Sequence, residues 1–357
     1  MQLGREELEA AVLGGAVLGG GGGGSRAEGL RLGEAALELG TPTLVPLDLL
    51  APDALVATVA LVGAPAARDA HVEPSDHLRA WELLAALTPR PVAGIITCEN
   101  GGTATINGWL QSAVTGVPMV DAPADGRAHP TGDMGSLGLE EERDFVSLQG
   151  AAGGDRTFGA YLEQQVRAPL AAANRLVRSA ADAAGGLVAV ARNPVPASYL
   201  ATRAAKGAIS HALAIGRELG AVLPRGTGAV AERVCGLLGG TVLCEGPIRR
   251  FDLETRGGYD VGTATICGLE LTIWNEFMTA EREGVRLATF PDLIVAIDDE
   301  SALPVTSAEL RLGRRLTLLM APAASLTLGA GVRAPRNLAA IERVIGKSII
   351  RFLSLPC

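Results

Sequence analysis

Four side chains in one stretch of the sequence have the chemistry for acid–base work. Glu99 and Asp121 are carboxylates, Arg127 is a guanidinium and His129 an imidazole. A carboxylate can act as general base or as one ligand of a divalent metal that activates water. Arginine forks onto a carboxylate or imide oxygen, and histidine shuttles a proton or ligates a metal. Glu99 stands in Thr97-Cys98-Glu99-Asn100-Gly101-Gly102, where Gly101 and Gly102 let backbone come close to a substrate. The competing roles are structural: Glu99 as a helix cap, Arg127 as an ion-pair partner of Asp121 or Asp125, and His129 as a packed residue beside a proline.

These residues need elements that bring them together. Residues 91–96 and 117–120 are short apolar runs that read as buried strands, and they end just before Glu99 and at Asp121. In an open α/β sheet, ligands sit beyond the carboxyl ends of the strands. Upstream, Gly19 to Gly24 and Ser25 precede a helix expected over 26–39. Such a run can fold into a nest of N–H groups beside a helix N-terminus, so Gly20, Gly21, Gly22 and Gly23 are candidate donors to an anion. A flexible hinge is the alternative. The run is neither a Walker A loop nor a dinucleotide fingerprint preceded by a strand.

Further strands are expected at 43–46, at 55–63 (ending in Gly63-Ala64-Pro65) and at 187–191. Helices are expected at 5–18, 76–87 (with Ser75 as N-cap), 158–184 and 202–219, and a loop at 150–155. His71, His77, Asp69, Glu73 and Asp76 form a mixed set that could ligate a metal, though a polar loop leading into a helix is the favoured reading. From about residue 224, short runs alternate with turn signals such as Arg256-Gly257-Gly258 and Glu283-Gly284. Candidate strands at 240–245, 247–254, 258–267, 269–275, 277–281, 285–289, 293–298 and 315–320 predict a barrel or sandwich. Asn275, Glu276 and Asp292 are polar breaks that could face a cleft between domains.

The 357 residues allow two domains. Hydrophobic content of 48% against 20% charged predicts a globule, and 3% aromatics with abundant Ala and Gly predict close packing of helices on a sheet. A net charge of −8 without a basic run argues against a nucleic-acid surface. Five cysteines, at 98, 235, 244, 267 and 357, form no CxxC pair, which predicts reduced thiols in a cytoplasmic protein. No apolar run is long enough to span a bilayer, and Glu6, Glu7 and Glu9 make the N-terminus unlike a signal peptide.

The glycine run, Glu99-x-Gly101-Gly102, Asp121…Gly126-Arg127-Ala128-x-Pro130, Asn275-Glu276 and Phe290-Pro291-Asp292-Leu293-Ile294 together resemble the DUF917, or S-methyl-thiohydantoin desulfurase, family. The resemblance runs in order along almost the whole chain. It implies an N-terminal three-layer α/β/α domain with a C-terminal β-barrel-like domain. Read with the textures above, the divisions are 1–165 (α/β, with the site), 166–223 (a connector packing on it), 224–335 (barrel-like) and 336–357 (an atypical tail). It also implies hydrolytic removal of sulfur from a thiohydantoin-type ring, and some relatives neighbour hydantoinase or oxoprolinase proteins.

The sequence departs from that family at Ala104, where Asn is common, at Asp121-Ala122-Pro123-Ala124, and at His129, which replaces an aromatic. On this reading Glu99 or Asp121 is the base, Arg127 holds a substrate oxygen, His129 protonates the leaving group, and Gly20–Gly23, Gly101, Gly102, Asn275, Glu276 and Asp292 contact substrate. A divalent metal, zinc or similar, is a candidate cofactor, with no ligand set assigned by spacing. A homo-oligomer is expected. The alternative function is a non-catalytic ligand-binding partner of a hydantoinase-type enzyme.

Overall fold

The computed structural model describes residues 1–64 and 67–353. Pro65 of the expected strand-end loop and Cys357 lie outside that range. Two sheets dominate. The first draws on β1 (Leu44–Val45), β2 (Leu55–Gly63), β3 (Val92–Thr97), β4 (Met119–Val120), β5 (Val146–Gly153), β6 (Leu162–Pro169) and β7 (Leu187–Pro196), in the order β1-β4-β3-β2-β7-β5-β6. The β1, β4, β3 and β2 half is parallel; β7, β5 and β6 continue it antiparallel. Because β2 lies inside the sheet with both faces covered, it reads as an almost unbroken apolar run.

Alternate residues of β2 go to opposite sides. Ala57 and Val59 join the core built by α1 (Arg5–Leu18), α2 (Arg26–Leu39), α3 (Pro74–Leu87) and α4 (Trp109–Thr115). Val56 and Val62 face the layer of α5 (Leu170–Ala183) and α6 (Ala197–Arg203). Each buried Val, Leu or Ile contributes about 1.5–3 kcal/mol. Small residues set how closely α1 meets α7 (Ala208–Val222): a Cβ on Gly14 would lie 1.8 Å from the Ala212 carbonyl oxygen, and one on Gly216 1.8 Å from that of Ala10.

After α8 (Thr227–Leu238) comes the second sheet, wholly antiparallel. It holds β8 (Thr241–Arg256), β9 (Tyr259–Ile266), β10 (Leu269–Trp274), β11 (Glu276–Arg282), β12 (Val285–Thr289), β13 (Leu293–Asp298), β14 (Pro304–Val305) and β15 (Arg315–Ala321), in the order β12-β11-β10-β9-β8-β15-β13-β14. Three hairpins turn on two residues with positive φ, Gly257-Gly258, Cys267-Gly268 and Glu283-Gly284, as a type I′ turn requires. The sheet coils, so Phe277 and Ala280 share a core with Ile294 and Ala296. No ladder joins β12 to β14 among the described residues, so the expected barrel is an open, coiled sheet.

Several local expectations change. The expected loop at 150–155 falls largely in β5, and the first part of the helix expected at 158–184 is β6, whose alternating burial marks an edge strand. Residues 166–223 are more than a connector, since β7 sits between β2 and β5. Glu73, not Ser75, caps α3, in a reciprocal bond pair with Asp76. After α9 (Ala330–Arg333), the tail expected at 336–357 falls largely in α10 (Pro335–Ile345), and Leu338, Ile341 and Ile349 pack with Trp274 and Phe290 against the second sheet.

Candidate active site

A cavity of about 890 Å³ opens where the first sheet, the glycine loop and the second sheet meet. Strand β3 ends at Thr97 and delivers Cys98 and Glu99 to its wall. The loop after β4 brings back His129. Its Nε2 lies 3.4 Å from Glu99 Oε2 and 3.7 Å from Cys98 Sγ. The His129 backbone N–H donates to the same Glu99 oxygen at 3.1 Å, and Arg192, at the end of the apolar part of β7, donates to Cys98 Sγ at 3.2 Å. Gly135 makes room for this cluster, because a Cβ there would sit 2.1 Å from Cys98 Sγ.

The second sheet contributes Glu276 and Asn275. Glu276 is 2% exposed, and its Oε2 has no hydrogen-bond partner. Asn275 adopts φ +56° and is tied to Asp260: its N–H donates to the Asp260 carbonyl, and its Oδ1 accepts the Asp260 N–H. Arg178 also lines the cavity; it stacks over Tyr259 and donates to the Gly63 and Gly258 carbonyls.

Gly21 to Gly24 and Ser25 form another wall. Ser25 Oγ accepts the Glu28 N–H and so caps α2 at the cavity. Four of the loop glycines (20, 21, 23 and 24) have positive φ. The N–H groups of Gly21, Gly23 and Gly24 donate to no protein acceptor among the described residues. Side chains larger than hydrogen are excluded here, since a Cβ on Gly22 would lie 2.0 Å from Glu276 Oε1.

Burial sets the electrostatics. It raises the Glu99 carboxyl to about 8, against the opposing His129 N–H bond. Glu276 is pushed well above the carboxylate range by burial and by the nearby Glu99 charge. Burial also lifts the Cys98 thiol to about 11 and, with Arg192 and Arg127 adding to it, lowers His129 to about 3. In this setting burial favours the protonated carboxyl at Glu99 and Glu276 and the neutral ring at His129. An imidazolium at His129 is therefore not the proton donor expected from the sequence.

The structure does not bring all expected residues to the cavity. Asp121 lies elsewhere: it caps α7, accepting from the Ile209 N–H at 2.9 Å and the Ser210 Oγ at 2.5 Å. Arg127 is fully buried behind the site. It donates to the carbonyls of Ala128, Pro291 and Asp292 and lies 4.5 Å from the Phe290 ring centroid, joining the two sheets. Asp292 accepts from the Ala323 and Thr289 N–H groups and holds its own loop. Gly101 and Gly102 pack on the glycine loop, where a Cβ on Gly101 would strike Gly23 at 2.4 Å. Gly20 lies beside Arg127 and accepts the Phe277 N–H.

Asp69, His71, Glu73, Asp76 and His77 do not converge on one point. His71 pairs with Glu73 and Asp76 with Arg156, and the metal-ligating group found among the described residues is Cys98, Glu99 and His129. Sequence reasoning passed over Cys98 and Arg192. Cys98 was legible as a thiol adjoining Glu99 at a strand exit, and Arg192 as a charge ending an apolar strand.

The whole fold resembles the crystal structure of a protein from Chromobacterium violaceum, with a TM-score of 0.70 and 21% identity over 97% of this chain and 96% of that one. No curated protein matches the sequence. The S-Me-THD-like N-terminal domain matches residues 6–157 and the S-Me-THD-like C-terminal domain residues 168–332. The chain belongs to the S-Me-THD-like family, that of the S-methyl-thiohydantoin desulfurases.

Proposed function

We propose that the chain is a hydrolase of a small thiohydantoin-type ring, replacing the ring sulfur substituent by oxygen from water. One observation carries the reading. The cavity sets a cluster of Cys98, Glu99 and His129 and a buried, unpartnered Glu276 around a space that fits a five-membered heterocycle. Water attacks the ring carbon that bears sulfur and forms a C–O bond. The C–S bond then breaks. One proton of the water ends on the ring nitrogen and the other leaves with the thiol, so no oxidant or reductant is needed.

The attacking water sits at the Cys98, Glu99 and His129 cluster. Glu276, whose burial favours the protonated carboxyl, delivers a proton to the departing sulfur. The charge that grows on the ring is met by the free N–H groups of the glycine loop and by the α2 N-terminus.

Thiol release from S-methyl-thiohydantoin and its ring-substituted relatives by the purified chain tests this. Wild type should release one thiol per oxygenated ring formed. Glu276→Gln should fold and bind the ring but turn over at least about 100-fold more slowly, within the range for losing a positioned acid. No thiol release from wild type across the panel would refute the hydrolase and leave a ligand-binding partner subunit.

A further inference from the structure

We propose that Cys98 Sγ, Glu99 Oε2 and His129 Nε2 bind one divalent cation of the zinc class, with a fourth position open to the cavity. The inference rests on the hydrolytic reading for its purpose but on geometry for its evidence. Zinc bonds of about 2.3 Å to sulfur and about 2.0–2.1 Å to nitrogen or oxygen place tetrahedral neighbours about 3.4–3.6 Å apart. The observed separations are 3.7 Å for sulfur to nitrogen and 3.4 Å for nitrogen to oxygen, and all three atoms lie within 4.8 Å of one another.

Direct contacts among the three side chains are long. At 3.4 Å the Glu99 to His129 contact is longer than an ordinary N–H···O bond, and at 3.7 Å the thiol is no tighter on the ring. Their donor atoms surround a common point instead. Gly135 packs directly on the cluster and only glycine fits there, since a Cβ would also come within 2.8 Å of the His129 ring.

The surroundings orient the ligands as an outer shell does. Arg192 donates to the sulfur at 3.2 Å and the His129 backbone N–H fixes the Glu99 oxygen at 3.1 Å. A set of one sulfur, one nitrogen and one oxygen suits zinc or cobalt and disfavours magnesium and calcium, which take oxygen shells. Three protein ligands with an open fourth place is the pattern of a catalytic rather than a structural site. A cation held there supplies a nucleophilic water at neutral pH.

The test uses the full chain. Protein purified without chelator is measured for metal content, and chelator-treated protein is titrated with cobalt(II) and followed by absorbance. We expect about one zinc per chain. The cobalt form should show a thiolate-to-cobalt charge-transfer band that Cys98→Ser abolishes and Cys235→Ser retains. Arg192→Gln should weaken cobalt binding about 10- to 100-fold while keeping the band at saturation. The wild-type titration stands alone whether or not Cys98→Ser folds: no bound metal and no band in folded wild type overturns the site. Metal with no thiol release would refute the proposed function and keep the site. Thiol release by metal-free protein that shows no cobalt band would keep the function and overturn the site.

Discussion

Replacing Arg127 by methionine separates a structural arginine from a substrate-binding one. The native guanidinium makes three hydrogen bonds to buried carbonyls, at 3.0, 3.0 and 2.6 Å, and lies over Phe290. Methionine fills much of the stem volume but supplies no donor. The carbonyls of Ala128, Pro291 and Asp292 then lose that donor in a site without solvent. Three buried carbonyls left without a donor, at about 1–3 kcal/mol each and partly relieved by relaxation, cost about 3–5 kcal/mol. Urea unfolding of wild type and variant, followed by tryptophan fluorescence, should show a loss of that size. Arg127→Lys should fall between them, because one ammonium cannot reproduce the fork. An Arg127→Met protein within about 1 kcal/mol of wild type, smaller than a single lost charged hydrogen bond, that no longer binds the ring would show that Arg127 holds substrate, and the placement argued above would be wrong.

Three further outcomes follow from the same geometry. Asp121→Ala should lower stability by about 0.5–2 kcal/mol through loss of the α7 cap and leave kcat within twofold of wild type, in unfolding and turnover assays; a large drop in kcat at full stability would return Asp121 to the site. Gly22→Ala should displace Glu276 and reduce kcat about 100-fold with the fold retained, whereas Gly220→Ala, where a Cβ meets nothing within 4 Å, should change turnover by less than twofold. His77 is buried, and burial lowers it from 6.5 to about 4. The unfolded chain binds that proton first, so this group's stabilisation is full above pH 6.5 and is lost as pH falls toward 4, a difference of about 3 kcal/mol. The stability gap between wild type and His77→Asn should narrow by about that amount across the window, and a gap independent of pH would contradict it.

Much of the architecture was legible in the sequence because local chemistry and tertiary role agree there. The β2 run is apolar because both faces are covered, and Gly257-Gly258 and Glu283-Gly284 supply the positive φ that their hairpins need. Strands β5 and β6 were hidden: β5 is rich in Ala and Gly, and β6 is an edge strand whose polar residues imitate a helix face. At the site, spacing brought out Glu99 and His129, which share one wall. It misassigned Asp121 and Arg127, because a cap and a bridge between sheets use the same side chains as catalysis. What separates those roles is where the partners lie, and that is set by distant elements: α7 for Asp121, and the Pro291–Asp292 turn for Arg127.

The central claim is that water attacks a sulfur-bearing ring carbon in the cavity between the two sheets. Turnover of S-methyl-thiohydantoin in ¹⁸O-labelled water, with the product ring analysed by mass spectrometry, tests it most directly. The account predicts one labelled oxygen in each product ring from wild type, and none above background from His129→Ala. An unlabelled product, or equal labelling by His129→Ala at the wild-type rate, would contradict it.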